Sequence, residues 1–266
     1  MGSERIDLLL VAKGLAESRS KAQALIMAGQ VSVDGKVVDK PGTRVATTAT
    51  LTVAAGLPYV SRGGLKLRRA LDVFPVTVAG RICLDAGAST GGFTDCLLQA
   101  GAKLVIAVDV GYGQLAWKLR QDPRVVVMEK TNVRYLTLEQ LPAQPSLLTA
   151  DLSFISIGKV LPVFTGLLPA DGELIALVKP QFEAGRSLVG RKGVVRSPSV
   201  HREVLENVIA MGREAGLSCA GLTYSPVLGP EGNIEFLIYW RKGASDLVSP
   251  DPEAVAAAAW ENLKGK

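Results

Sequence analysis

The strongest constraint on the fold is a regular alternation of apolar strand segments with amphipathic helical segments along most of the chain. Strand, helix and strand in succession predict a mainly parallel sheet that is covered by helices on both faces. The pattern predicts strands at residues 82–84, 104–108, 125–128, 147–150, 174–178, 217–223 and 234–239. It predicts helices at residues 93–99, 114–120, 158–168 and 200–214. The predicted fold class is therefore α/β.

A smaller module precedes this alternation. Residues 5–53 predict two short helices, the second ending at Gly29, and then a hairpin around Asp34-Gly35. The glycine and proline between residues 54 and 60 are typical of a linker. We therefore expect a small α+β domain at residues 1–53, a linker at 54–60, a large domain at 61–244 and a C-terminal tail at 245–266 that carries one last exposed helix.

Size, charge and cysteine content narrow the functional class. A length of 266 residues has room for a large and a small domain, and a formal charge of +5 favours acidic partners without requiring nucleic acid. Cys83, Cys96 and Cys219 lie far apart without a CxxC pair, which argues against a disulfide framework or a zinc site. No apolar signal segment follows Met1, and no stretch has the length and apolarity of a membrane span. We expect a cytoplasmic protein without a resident metal.

A glycine-rich turn at residues 85–92 follows the first strand of the predicted sheet and begins a helix. Its glycines let the backbone approach a ligand, and ligands of open parallel sheets bind beyond the carboxyl ends of the strands. Asp109 ends the next strand, about twenty residues further on, where a carboxylate can accept hydrogen bonds from ribose hydroxyls. These features indicate a nucleoside site, although a glycine-rich turn can also serve only to connect a strand to a helix.

The chemistry of this turn favours a cofactor without phosphates. Ser89 occupies the position of the second glycine in a dinucleotide fingerprint, and the chain has no GxxxxGK[ST] phosphate loop. S-adenosylmethionine fits better, since it carries a sulfonium and an amino acid end. We predict that Asp85 helps to hold its ammonium group and that Asn132 reads its adenine. The full set of predicted cofactor contacts is Asp85, Gly87, Ala88, Ser89, Thr90, Gly91, Gly92, Phe93, Asp109 and Asn132.

Four charged residues form the candidate catalytic set. Asp151 and Lys179 end the fourth and fifth strands, Glu235 lies within the last strand pattern, and Lys66 lies in the first helix of the large domain. A ribose hydroxyl is a poor nucleophile, so it needs a cation beside the developing alkoxide or a lysine that removes its proton. We predict that Lys179 acts on the 2'-hydroxyl, that Asp151 orients both, and that Lys66 and Glu235 position the ribose. Taken singly, each is more simply interpreted as a structural surface charge.

The segment that follows the fourth strand argues against two other methyl acceptors. Asp151-Leu152-Ser153-Phe154 lacks the Pro-Pro-aromatic pattern of amino-group methyltransferases, and no cysteine near a proline is placed as a nucleophile for a pyrimidine carbon. His201, the single histidine, begins a predicted helix. We expect it to be exposed and to have no part in catalysis.

Basic residues are candidates for contacts with RNA phosphates. The predicted set is Arg5, Lys13, Arg19, Lys21, Arg62, Arg68 and Arg69. A second basic segment contains Arg186, Arg191, Lys192 and Arg196, and we expect it either to close over a substrate or to be disordered. All these side chains are equally compatible with ordinary solvated faces.

Five segments resemble the TlyA family of ribosomal RNA methyltransferases, and the likeness extends over nearly the whole chain. They are residues 61–67, 85–94, 109–115, 151–156 and 178–182. Residues 5–53 resemble the αL-type RNA-binding domain of ribosomal proteins and pseudouridine synthases. The remainder resembles the FtsJ-type 2'-O-methyltransferase domain with its Lys-Asp-Lys-Glu tetrad.

This resemblance implies a Rossmann-like fold with a seven-stranded, mainly parallel sheet. It also implies methyl transfer from S-adenosylmethionine to the 2'-oxygen of cytidine in ribosomal RNA, with Lys66, Asp151, Lys179 and Glu235 as the tetrad. Some members modify the large subunit alone and others both subunits. The implied partner is ribosomal RNA or a ribosomal subunit rather than a membrane or a metal, and a monomer is one of the open oligomeric states. Members are often labelled haemolysins, so a pore-forming toxin stays an alternative, as does a non-catalytic RNA-binding assembly factor.

Overall fold

A computed structural model describes residues 2–27, 29–53, 57–185, 188–190, 193–244 and 250–264. The chain forms two compact units, Met1–Pro58 and Tyr59–Lys266. The predicted linker lies around this boundary, with residues 54–56 outside the described part, and the predicted tail is described only from residue 250 to 264.

The N-terminal unit combines two helices with short antiparallel strands. Its elements are β1 (Ser3–Arg5), α1 (Ile6–Ala12), α2 (Arg19–Met27), β2 (Val31–Val33), β3 (Lys36–Val37), β4 (Arg44–Ala46) and β5 (Leu51–Val53). β2 pairs with both β3 and β5, and β1 pairs with β4. The predicted hairpin is confirmed, since Asp34 and Gly35 have φ values of 48° and 80°, as a tight two-residue turn requires.

A buried acid that sequence analysis missed holds this unit together. The Asp7 side chain is fully buried, and it lies 2.9 Å from the Arg5 guanidinium and 3.0 Å from that of Arg19. Gln23 Nε2 and the Leu8 amide donate further hydrogen bonds to the same carboxylate. The hydrogen bond from Arg5 holds the pKa of Asp7 well below its usual range, despite the opposing effect of burial. Two of the predicted RNA-binding arginines are therefore anchored within the unit.

The larger unit contains the predicted sheet. Its strands are β6 (Ile82–Ala86), β7 (Leu104–Val108), β8 (Val125–Met128), β9 (Leu147–Ala150), β10 (Glu173–Val178), β11 (Leu217–Tyr224) and β12 (Phe236–Lys242). They lie in the order β11-β12-β10-β9-β6-β7-β8. β12 runs antiparallel to both of its neighbours, and the pairs among β6, β7, β8, β9 and β10 are parallel. A seven-stranded, mainly parallel sheet is thus confirmed.

Helices cover both faces of this sheet. They are α3 (Gly63–Val73), α4 (Gly92–Gln99), α5 (Trp117–Arg120), α6 (Leu161–Leu167), α7 (Pro180–Glu183), α8 (Pro198–Glu214) and α9 (Pro252–Lys264). Successive residues of a strand point to opposite faces, so Leu84 and Ile106 pack in one apolar layer while Cys83 and Val105 pack in the other.

Two predicted helices are shorter than expected. The segment at 114–120 becomes helical only at Trp117, because Gly113 has a φ of +72° and the turn after it is irregular. The segment at 158–168 divides into a 3-10 turn at Ile157–Lys159 and a helix that begins at Leu161. Pro162 explains the second boundary, since it lacks an amide hydrogen and suits the first turn of a helix.

The expectation that His201 is exposed is wrong, and the last helix is exposed on one face only. His201 is fully buried, and Trp260 Nε1 donates a hydrogen bond of 2.9 Å to its Nδ1. Ala256 and Ala259 of α9 are buried as well. Their small side chains form a narrow apolar stripe, which lets α9 pack on α8 and β11. The error arose because an alanine-rich segment gives little indication of a buried face.

Candidate active site

The candidate site begins at the glycine-rich turn beyond the carboxyl end of β6. Gly87, Ser89 and Gly91 all have positive φ values, of 84°, 48° and 98°. A Cβ atom added to Gly87 would lie 2.5 Å from the carbonyl oxygen of Asp151, so glycine allows this turn to touch the segment after β9. A Cβ atom on Gly91 would overlap Leu119. The turn is therefore packed between β9 and α5.

A first cavity of about 490 Å³ opens beside this turn. It lies at the ends of β6, β7 and β9, and its lining includes Gly87, Ser89, Asp109, Asn132 and Asp151. The Asp109 carboxylate accepts hydrogen bonds from the Ser89 amide at 2.8 Å and from the Gly111 amide at 2.6 Å. The volume of this first cavity lies within the usual range for small-molecule sites.

A second cavity, of about 320 Å³, adjoins the first. The two share Gly87, Ser89, Asp151 and Ser153. The second is also lined by Ala88, Thr90, Gly92, Phe93, Arg62, Lys66, Lys179 and Glu235. A ligand in the first cavity can therefore present an atom to the charged groups of the second.

The four predicted catalytic residues meet at this second cavity as two ion pairs. Lys66 Nζ lies 2.5 Å from Glu235 Oε2, and Lys179 Nζ lies 2.7 Å from Asp151 Oδ1. Both lysines are 8% exposed, and Glu235 is fully buried. Lys179 Nζ also donates a hydrogen bond of 2.9 Å to Ser153 Oγ.

Two carboxylate oxygens of these pairs have no hydrogen-bond partner among the described residues. Glu235 Oε1 is buried without one. Asp151 Oδ1 is within ion-pair distance of Lys179, but the angle of that contact falls outside hydrogen-bond geometry. A buried acceptor that makes no hydrogen bond costs about 1 to 3 kcal/mol, so Glu235 Oε1 is a favourable position for a donor hydroxyl from a ligand. Asp151 Oδ1 offers a further acceptor beside Lys179.

Glu235 lies immediately before β12, so its predicted position inside the strand is wrong. Its backbone carbonyl accepts a hydrogen bond of 2.9 Å from the Ser225 amide. Gly229 packs against the carboxylate, and an added Cβ there would overlap Glu235 Oε1. Sequence analysis assigned no role to Gly229 or to Ser153. Ser153 could have been predicted from its position two residues after Asp151, whereas no sequence pattern points to Gly229.

Asp85 and Gly91, both predicted cofactor contacts, line neither cavity. Asp85 is fully buried, and its Oδ2 accepts a hydrogen bond of 2.7 Å from Thr94 Oγ1. Burial raises the pKa of this carboxyl to about 7, although the hydrogen bonds from Thr94 oppose the shift. In this structure, Asp85 joins β6 to α4.

The predicted RNA-binding residues have different local partners. Lys13 donates to the Ala49 carbonyl at 3.0 Å, and Arg68 pairs with Asp72 at 2.5 Å. Lys21 and Arg62 are exposed. Arg69 lies over the ring of Tyr224. Arg186, Arg191 and Lys192 of the second basic segment lie outside the described residues.

Comparison with known sequences identifies the family. The FtsJ-like methyltransferase pattern matches residues 59–242, and the S4 domain pattern matches residues 4–51. The chain belongs to the FtsJ-like methyltransferase family. The seven-stranded sheet is therefore a methyltransferase domain, and the N-terminal unit is an S4 domain.

Relatives resemble both units of this FtsJ-like chain. "Putative rRNA methyltransferase YqxC" of Bacillus subtilis is 55% identical, covering 99% of this chain and 96% of the relative. "16S/23S rRNA (cytidine-2'-O)-methyltransferase TlyA" of Mycobacterium tuberculosis is 50% identical over 89% of each chain. A solved structure titled "Putative hemolysin from Streptococcus thermophilus" has 46% identity and a TM-score of 0.78, covering 100% of this chain and 98% of that one.

In the described part of the chain, no helix combines the length and apolarity needed to cross a membrane. Within the same residues, no group of three or more histidine, cysteine, aspartate or glutamate side chains is arranged to hold a metal ion.

Proposed function

We propose that this FtsJ-like methyltransferase transfers a methyl group from S-adenosylmethionine to the 2'-oxygen of cytidine in ribosomal RNA. The observation that carries the proposal is the convergence of two lysine–carboxylate pairs at a cavity beside the glycine-rich turn. The name of the M. tuberculosis relative supports the nucleoside and includes RNA of both ribosomal subunits. The S4 domain supports an RNA substrate.

The first cavity has donors and acceptors that suit the adenosyl part of this cofactor. A carboxylate has about four lone-pair positions, so Asp109 retains acceptors for ribose hydroxyls after its two backbone hydrogen bonds. Asn132 uses its side-chain oxygen to cap Arg134, which leaves its amide hydrogens for an adenine edge. The turn at 85–92 contains no lysine or arginine for a phosphate. When bound, S-adenosylmethionine supplies an electrophilic methyl group on sulfonium.

Lys179 and Asp151 act on the attacking hydroxyl. Their ion pair, together with the hydrogen bond to Ser153, fixes the position of Lys179 Nζ beside the cavity. A fixed ammonium stabilises negative charge as it develops on the 2'-oxygen, and such preorganised contacts are commonly the largest contribution to catalysis. Asp151 Oδ1 accepts a hydrogen bond from the hydroxyl, which aims the oxygen lone pair at the methyl carbon, and takes its proton as the bond from oxygen to methyl forms and the bond from sulfur to methyl breaks. Lys179 therefore supports the developing alkoxide, and Asp151 removes the proton.

Lys66 and Glu235 hold the ribose for this step. Glu235 Oε1 accepts a second sugar hydroxyl, while Oε2 stays paired with Lys66. The ring of Phe154 is 91% exposed at the edge of the first cavity and lies 5.2 Å from that of Phe182. An exposed aromatic face beside the reacting groups can stack on the target base once it leaves its helix.

The test is transfer of labelled methyl from S-adenosylmethionine to ribosomal RNA and to isolated ribosomal subunits. We expect label in 2'-O-methylcytidine after digestion of the RNA to nucleosides. Label in a base, or binding of RNA without any transfer, would contradict the proposal, and the second result would favour a non-catalytic assembly factor. Lysis of red cells by the purified protein, tested in parallel, would support the toxin alternative.

A further inference from the structure

A third hollow, of about 570 Å³, lies on the methyltransferase domain next to the second cavity. We call it the Arg69 hollow, and its lining includes Arg62, Arg69, Tyr224, Leu228 and Asn262. It has two guanidinium groups and one aromatic ring, and none of the described residues that line it is acidic. This composition suits an anionic ligand that also has a flat face.

Two structural links join the hollow to the catalytic cavity. Arg62 lines both. Arg69 follows Lys66 by three residues on α3, so the two side chains lie on neighbouring positions of one helix face. Tyr224 ends β11, and the segment after it leads through Leu228 to Gly229, which packs against Glu235. An RNA chain that has one nucleotide at the catalytic cavity can therefore place its neighbouring nucleotide in the hollow.

Arg69 differs from the arginine beside it. Arg68 forms an i, i+4 ion pair with Asp72 and lines neither the second cavity nor the hollow. The Arg69 guanidinium lies 5.7 Å from the centre of the Tyr224 ring, and no described carboxylate forms an ion pair with it. A guanidinium that lies over a ring at this distance keeps N–H groups available for a phosphate.

We propose that the Arg69 hollow binds the nucleotide that directly flanks the methylated one in a single-stranded segment of RNA. Arg62 and Arg69 contact its phosphate, and its base stacks on the Tyr224–Arg69 pair. This inference rests on the proposed function. It assigns an RNA contact to Arg69 and none to Arg68, although the sequence predicts RNA contacts for both.

The experiment compares Arg69→Ala with Arg68→Ala, a matched loss of one positive charge from the same helix. RNA affinity is measured over a range of salt concentrations, together with KM and kcat for methyl transfer and cofactor affinity by calorimetry. Arg69→Ala should raise the RNA Kd and KM several-fold, leave kcat and cofactor affinity near the wild type, and lower the slope of log affinity against log salt by about 0.7. Arg68→Ala should change none of these by more than about twofold.

The ring is tested by Tyr224→Ala and Tyr224→Phe. Loss of one stacked base should weaken RNA binding about fivefold to a hundredfold in Tyr224→Ala, while Tyr224→Phe keeps the stacking face and stays near the wild type. Photocrosslinking of RNA that contains 4-thiouridine should label the peptide at residues 224–228. This measurement uses the unmodified protein and so does not depend on the folding of a variant.

Equal effects of Arg68→Ala and Arg69→Ala, or an unchanged RNA affinity in Tyr224→Ala, would overturn the inference. Methylation by the wild-type protein is measured independently. If ribosomal RNA is methylated but Arg69 behaves like Arg68, the inference alone fails. If the wild-type protein neither methylates nor binds ribosomal RNA, the proposed function fails and the inference with it.

Discussion

The two units of the chain each bury a carboxylate against basic side chains, but they complete its hydrogen bonding to different degrees. Asp7 in the S4 domain receives hydrogen bonds from Arg5, Arg19, Gln23 and the Leu8 amide. Glu235 in the methyltransferase domain has Lys66 on one oxygen, while the other lacks a hydrogen-bond partner among the described residues.

This difference separates a structural anchor from a reactive site. A saturated buried ion pair has no acceptor left for a ligand, so its contribution is to stability. A buried carboxylate with an unused acceptor retains a cost that a substrate hydroxyl relieves. Asp7 and Glu235 are alike in charge and in burial. What distinguishes the anchor from the reactive group is whether every carboxylate oxygen already accepts a hydrogen bond. The predictions below test that criterion, from the largest expected effect to the smallest.

Lys179→Ala should lower methyl transfer by about a thousandfold or more, because it removes the cation nearest the developing charge. Cofactor affinity, measured by calorimetry, should stay within about threefold of the wild type. Lys179→Arg is the matched control, since it keeps the charge but changes the shape of the donor. Partial activity in Lys179→Arg supports alkoxide stabilisation, whereas a rate equal to that of Lys179→Ala would favour a neutral lysine as base.

Gly229→Ala should reduce kcat by about tenfold to a hundredfold, because the new methyl group overlaps the Glu235 carboxylate and moves it away from the ribose. The thermal midpoint should change little, since the overlap is with the end of a side chain that can move. Gly166→Ala is the matched control, because Gly166 has open space around an added Cβ and no positive φ. Gly216 also has open space, but its positive φ would strain an alanine. A normal kcat in Gly229→Ala, with Gly166→Ala as reference, would show that the position of Glu235 is unimportant.

Asp7→Ala should reduce the free energy of unfolding of the S4 domain by about 2 kcal/mol. The loss is smaller than for a fully buried ion pair, because solvent screens the partly exposed arginines Arg5 and Arg19. Because the pKa of Asp7 is lowered on folding, its stabilisation is present above the ordinary carboxyl pKa and is lost as the pH falls through the folded value. Unfolding followed at pH 7 and pH 3 should therefore show a smaller difference between variant and wild type at pH 3. If kcat fell as it does in Lys179→Ala, the assignment of Asp7 as an anchor would be wrong.

The sequence predicts the sheet and two of the four charged residues for the same reason. Apolar runs such as 104–108 end at polar residues, and the carboxyl ends of parallel strands meet at one edge, so Asp151 and Lys179 were placed by topology alone. Contacts between distant segments left no such pattern. Gly229 against Glu235 and His201 against Trp260 depend on how loops and helices pack in three dimensions. Asp7 looked like an ordinary acid in a first helical turn.

Asp85 extends the comparison to a buried acid whose side-chain hydrogen-bond donors are the Thr94 and Thr149 hydroxyls, and its expected effect over two pH units is close to that of Asp7→Ala. Burial raises its pKa to about 7, so between about pH 4 and pH 7 the folded protein holds a proton that the unfolded chain has released. The contribution of Asp85 to stability therefore falls as the pH rises through this window, by about 1 kcal/mol for each pH unit. Asp85→Asn removes the titration and keeps the shape, so the difference between variant and wild type should grow in favour of the variant from pH 5 to pH 7. A constant difference, measured by denaturant unfolding, would mean that Asp85 stays ionised in the folded protein and that a donor beyond the Thr94 and Thr149 hydroxyls stabilises its charge.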